Sequence, residues 1–212
     1  MASPARSAPT RKRTAPPEER RLQLIKATIR SVAARGLSDT TMATVAREAG
    51  LSQGIINLHF RSKERLLIET LRYLADEYKA TREKRLGQAG PGAAARLRAM
   101  IDVDFDRPIC DRNKLAVWFA FWGEAKARPT YRKLCATRDR EYDEALLALC
   151  DDMVREAGPA GVSAVTVAHT LAALTDGLWL DILLSPQEMT SERAKGVCLA
   201  YLACVFPDHF PA

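Results

Sequence analysis

Of 212 residues, three are histidine and five are cysteine, and neither set is arranged for covalent or metal chemistry. Cys110, Cys135, Cys150, Cys198 and Cys204 are odd in number and form no CxxC pair. That argues against a disulfide framework and against a zinc site. They read as small apolar residues of a reducing cytosol, so the expected location is cytoplasmic. His59, His169 and His209 are widely spaced, and no nucleophile–base pair accompanies them. The expectation is a protein without metal or cofactor, and not an enzyme. The longest apolar region, Val165 to Leu184, is interrupted by His169, Asp176 and Asp181. A buried helix is expected there rather than a bilayer span, and no membrane partner. The first residues lack the apolar core of a signal peptide. Two-residue alternation is missing throughout, which predicts no sheet.

Two local patterns imitate ligand loops and fail. Gly87 to Gly92 is rich in glycine, but no strand precedes it and the spacing is not that of a dinucleotide fingerprint. Asp102-Val103-Asp104-Phe105-Asp106 suggests a calcium loop, but Arg107 stands where glycine is needed and Asn113 where the bidentate Glu belongs.

What is present is a basic head. Residues 1–65 hold 13 Lys/Arg against 5 Asp/Glu, while the rest hold 19 against 21. Such a head suits a polyanion such as DNA, although a solvated basic surface gives the same count. Residues 1–17, with Arg6, Arg11, Lys12 and Arg13, read as a disordered basic arm.

From Glu18 the pattern is helical. Leu22, Ile25, Ile29 and Val32 share one face, and Gly36 is a natural stop. Thr40 or Thr41 can cap a short helix whose apolar face is Met42, Val45, Ala46 and Ala49. Gly50 supplies a left-handed turn, and Ser52 caps a second short helix near Gln53 to His59. Ser62 caps a long helix reaching about Leu86. Further helices are expected near 93–106, 112–127, 130–157, 162–184 and 190–206, broken by Arg128-Pro129, Gly158-Pro159 and Ser185-Pro186. The expected fold is all-α with about nine helices: a helix-turn-helix unit over 18–65, then a ligand-binding and dimerisation unit over 66–212. The nearly uncharged helices at 165–184 and 196–206 need cover on every side, which predicts a homodimer through a four-helix interface. A core hairpin inside one chain is the alternative.

The run Thr41 to Leu67 resembles the signature of the TetR family of repressors. Thr41, Val45-Ala46, Ala49-Gly50, Leu51-Ser52, Gly54, Phe60, Lys63-Glu64 and Leu66-Leu67 carry the likeness. Asn57 departs from it, standing where the family commonly has tyrosine. The resemblance implies double-stranded operator DNA as partner. Thr41, Ser52, Gln53, Gly54, Asn57, His59 and Lys63 would then lie at phosphates or base edges. Gln53 and Asn57 are able to pair with adenine, and Arg11, Lys12 and Arg13 to enter a minor groove. Surface polarity alone accounts equally for Gln53 and Asn57 outside this motif.

Trp118 and Trp122 are four apart on one helical face, next to Phe121, and Trp179 lies within Asp176-Gly177-Leu178-Trp179-Leu180-Asp181. Ring faces plus a carboxylate suit a quaternary ammonium ion, which cannot donate strong hydrogen bonds. Plain core packing explains the same spacing. These stretches, with Gly54-Ile55-Ile56, resemble the BetI branch of the family. That resemblance implies a response to choline or a related quaternary amine and control of glycine betaine synthesis. Trp118, Phe121, Trp122, Asp176, Trp179 and Asp181 are the expected ligand residues; Asp102, Asp104, Asp106 and Glu124 are further candidates for the acidic partner. Asp176 and Asp181, on the apolar helix, are the carboxylates expected to be buried. The alternative effector is another lipophilic or cationic compound, for an efflux or catabolic gene.

Overall fold

The computed structural model describes residues 16–158 and 161–210, and in them nine α-helices and no strand. Helix α1 spans Pro17–Asp39, α2 Met42–Glu48, α3 Gln53–His59 and α4 Lys63–Gln88. The body adds α5 Ala93–Phe105, α6 Arg112–Ala125, α7 Pro129–Ala157, α8 Ala164–Leu184 and α9 Ser191–Val205. The all-α expectation holds, and so does the helical order. The arm residues Arg11, Lys12 and Arg13 lie outside the described residues.

Local chemistry sets the boundaries. Pro17 opens α1, where a missing N–H costs nothing. Gly36 interrupts α1 at φ 76°, ψ 174°, and one further turn follows it. The helix therefore breaks where glycine predicts, although the chain runs on helically to Asp39. Thr41, Ser52, Ser62, Asp111, Ser163 and Thr190 each accept a backbone N–H of the helix they precede. Each such cap contributes on the order of 1 kcal/mol.

One continuous core runs from head to body. Leu24, Val45, Ala46, Ile56 and Phe60 close the head; Leu97, Met100, Phe105, Val117, Trp179 and Leu202 fill the body. Helix α1 packs chiefly on α6, and α4 runs from the head to α5 and α7. Helix α8 is long and apolar enough to cross a bilayer by length and composition, but here it is sandwiched between α7 and α9, with α6 also against it. One face remains open: Ala173, Gly177, Leu180 and Leu184 on α8, beside Gly196, Val197, Ala200 and Cys204 on α9.

Candidate nucleic-acid interface and cation cage

Helices α2 and α3 are held as a rigid corner. Thr41 and Thr44 cap each other, with Thr41 Oγ1 accepting from Thr44 N at 3.1 Å and Thr44 Oγ1 from Thr41 N at 2.8 Å. Gly50 takes φ +65° with open space around its missing Cβ, so the turn needs glycine for its backbone and not for room. Gln23 on α1 donates to the Ala49 carbonyl at 2.7 Å, and Arg30 pairs with Glu48 at 2.7 Å. Val45, Ala46 and Ile56 are buried between α1, α2 and α3. Their burial turns the other face of α3 outward.

That face carries Ser52, Gln53, Gly54, Asn57 and Leu58, all exposed, with His59 half-buried. The Ser52 hydroxyl is occupied as the cap of α3, and a Cβ on Gly54 would make only ordinary contact with it. Nothing inside the protein demands glycine at 54. Thr41 is exposed, its hydroxyl engaged in the capping box. Lys63 is half-buried and donates to the Ser38 carbonyl at 2.9 Å, leaving two ammonium protons free for an anion. Leu58 is the side chain the sequence reading missed. At 77% exposed it is the most open large apolar residue described, on a helix otherwise polar outside.

The body contains a second arrangement. The Arg138 guanidinium from α7 lies among five rings from four helices. Its Cζ is 4.8 Å from the Tyr78 centroid, 5.1 Å from Trp118, 6.0 Å from Trp122, 5.4 Å from Tyr142 and 5.5 Å from Trp179. A buried carboxylate closes the cage. Asp104 accepts from Tyr78 Oη at 2.5 Å and from Tyr142 Oη at 3.0 Å, while Trp179 Nε1 donates to its carbonyl at 2.8 Å. Burial pushes the Asp104 carboxyl up to about 6, against the two tyrosine hydrogen bonds and Arg138, with Asp176 adding to the rise. Burial and Asp104 likewise hold both tyrosines well above their usual range. Beside the cage, a cavity of about 490 Å³ opens between α4 and α7, with Tyr78 and Arg138 on its wall.

Both halves of the chain resemble known regulators. Residues 24–70 match the bacterial regulatory proteins of the tetR family, and residues 93–207 match the C-terminal region of BetI-type transcriptional repressors. The chain belongs to the TetR family, in its BetI-type branch. The TetR-family N-terminal region is a helix-turn-helix, here α1–α3, and the family comprises DNA-binding transcriptional regulators rather than enzymes. The HTH-type transcriptional regulator BetI of Burkholderia mallei is 34% identical over 87% of this chain and 92% of its own. That of Pseudomonas paraeruginosa is 35% identical over 86% and 91%. Among solved structures, a putative transcriptional regulator from Pseudomonas aeruginosa PAO1 is 28% identical with TM-score 0.79, covering 94% of this chain and 97% of that one. One from Saccharomonospora viridis, solved in complex with choline, shares the fold at 22% identity and TM-score 0.78, covering 87% and 96%.

Within this BetI-type regulator, the expected ligand residues separate. Trp118, Trp122 and Trp179 converge on one point. Phe121 does not join them: it is fully buried and meets Tyr131 edge-on at 4.8 Å. Asp181 is exposed on α8, two residues past the buried Trp179 and so on another face. The expectation that it is buried fails, because one face of α8 is uncovered in this chain. Asp176 is exposed as a residue as well, but its carboxyl is largely desolvated, and this, with Asp139 and Asp143 near, raises it to about 6 against the pull of Arg138. The buried acid is Asp104. Tyr78, Tyr142 and Arg138 complete the cage; none was among the expected ligand residues, since Arg138 and Tyr142 sit in a charged helical run and Tyr78 reads as part of the apolar face of α4. The remaining acids have other work: Asp102 and Asp106 pair with Lys195, and Glu124 pairs with Arg128.

Proposed function

We propose that this regulator is a dimeric, choline-responsive repressor of genes for glycine betaine synthesis, released from operator DNA by choline or a related quaternary amine. The observation that carries the reading is the five-ring cage with Asp104 beneath it: aromatic faces around one point, holding a cation, backed by one carboxylate. Cations in such cages gain about 0.5–2 kcal/mol from the ring faces. The choline complex of the Saccharomonospora viridis neighbour supports the same ligand class. Residues 18–65 form the DNA-binding unit and 66–212 the sensing and dimerisation unit, acting in the cytoplasm.

On DNA, α3 enters the major groove, with Gln53, Asn57 and Leu58 toward base edges and Thr41, Ser52, His59 and Lys63 toward phosphates. Gly54 lets the phosphate backbone come close. Two copies join through the open apolar face of α8 and α9, which sets the spacing of the two heads at about 34–36 Å, one turn of DNA. Coupling has two routes. Helix α4 links the head to Tyr78, and α6, which carries Trp118 and Trp122, packs on α1. Movement of the cage therefore reaches the head through either helix.

The test is fluorescence anisotropy of a labelled fragment from upstream of the protein's own gene, with and without choline. Binding that choline reverses is expected. Binding that choline leaves untouched contradicts the effector assignment. A second reading is favoured by the α4–α7 cavity, where Ile68, Leu71, Ala75 and Leu134 lie among basic side chains such as Arg72 and Lys79, a lining that suits a bulkier lipophilic ligand of an efflux or catabolic regulator, neutral or anionic rather than cationic at this site. Release by a lipophilic compound and not by choline would select it.

A further inference from the structure

We propose that Arg138 is the resident occupant of the aromatic cage: its guanidinium fills the position that an effector's quaternary ammonium group takes, so Arg138 sets effector affinity by direct competition. The inference rests on the cation-cage reading above and adds what the cage holds when no effector is bound.

Three observations carry it. First, the site is already a cation site, with five ring centroids within 4.8–6.0 Å of the Arg138 Cζ. Second, the guanidinium is held by rings far more than by hydrogen bonds. Its side chain is 9% exposed, and its one ion pair runs from Nη1 to Asp139 at 3.0 Å, at the rim. Its buried Nε–H has no partner. A guanidinium brings five donors, and a buried donor left unpaired is costly. A quaternary ammonium brings none, so it exchanges into the same rings without that penalty. Third, there is somewhere for Arg138 to go. It already lines the α4–α7 cavity, where Asp76 stands on the same wall; Glu141 is taken by Lys79, and five other Lys/Arg side chains share that wall. A rotamer change of a long side chain moves it from cage to cavity without disturbing α7. The indole N–H of Trp122, also buried and unpartnered, is then free to donate to an oxygen on the incoming ligand. The class that fits is a small quaternary ammonium compound bearing a nearby oxygen.

The chain's three tryptophans all ring this site, so selectively excited tryptophan fluorescence reports on it. Tetramethylammonium and choline are titrated into the full-length wild type and into Arg138→Met. The methionine variant is expected to bind tetramethylammonium at least about tenfold more tightly, because the competitor is gone. Arg138→Lys, which keeps a cation, is expected to stay near wild type. In the wild type itself, phenylglyoxal labelling of Arg138, followed by mass spectrometry, is expected to accelerate when tetramethylammonium is bound. That measurement stands even if the variants fold poorly. Equal or weaker binding by a folded Arg138→Met, or labelling that slows on ligand binding, overturns the proposal. Absence of tetramethylammonium binding in both proteins overturns it too. If wild-type DNA binding ignores choline while Arg138→Met gains the ammonium site, the effector reading falls and the residency of Arg138 stands. If the wild type answers to choline and Arg138→Met binds no more tightly, the reverse holds.

Discussion

Replacing Asp104 by Asn separates the charge of the buried acid from its hydrogen bonding, and the separation shows as a pH dependence. Asp104 is sealed, and its two oxygens accept from Tyr78 and Tyr142. The amide keeps one acceptor and turns the other into a donor, so one tyrosine contact is lost or reversed at every pH, costing about 1–3 kcal/mol. The charge contribution varies. In the folded protein the carboxyl is raised from 3.8 to about 6. A raised acid binds its proton more tightly when folded, so this group favours folding at low pH, and that contribution is lost as pH rises through about 6. From these values the wild type gains about 1.4 kcal/mol between about pH 7.5 and about pH 5, whereas Asn gains nothing. The destabilisation caused by Asp104→Asn should therefore grow by about 1.4 kcal/mol on acidification over that range. Urea unfolding of both proteins at both pH values, at one fixed protein concentration, measures it, with the slope of the transition as a check on comparability. Other titrating groups, Asp176 among them, are shared by the two proteins and largely cancel. A difference that is constant with pH, or that shrinks on acidification, refutes the placement of a charged, desolvated Asp104 under the cage.

Gly50→Ala should lower stability by about 1–2 kcal/mol through its positive φ alone, since a Cβ there meets nothing; thermal melts check this, and an unchanged melting temperature would contradict the turn geometry. Leu58→Ala should weaken specific operator binding about fivefold while leaving nonspecific binding and its salt dependence intact, as expected of an apolar contact to a thymine methyl; competition against random-sequence DNA separates the two. Leu184→Asp, on the open face of α8, should convert a dimer to a species of about half the mass in sedimentation and weaken operator binding with it.

Much of the fold was legible because helices announce their ends. Thr41, Ser52 and Ser62 stand where caps are wanted, and Gly36 and Gly50 where φ turns positive. The outward face of α3 followed from the same logic, because burying Val45, Ala46 and Ile56 leaves Gln53 and Asn57 outside. Trp118 and Trp122 were visible through their four-residue spacing. Trp179 stood out in its Asp-Gly-Leu-Trp-Leu stretch; Arg138 and Tyr142 did not, for a physical reason. Arg138 sits in the run Arg138-Asp139-Arg140-Glu141, which reads as a solvated face, and only packing against α4, α6 and α8 reveals that its side chain is buried. Asp104 was one of several candidate acids and also part of a failed calcium loop, with nothing local to single it out. Its true partners lie 26 and 38 residues away, beyond any local pattern. Asp181 misled in the opposite direction, because an apolar helix does not bury every face within one chain.

The central claim is that the cation cage and the DNA-binding head are energetically coupled. The most direct test is the affinity for choline, measured by titration calorimetry on the free regulator and on the regulator saturated with its operator. Operator should weaken choline binding by roughly 5- to 150-fold, and choline should weaken operator binding by the same factor. The same choline affinity with and without operator, in a protein that binds both, would contradict the account.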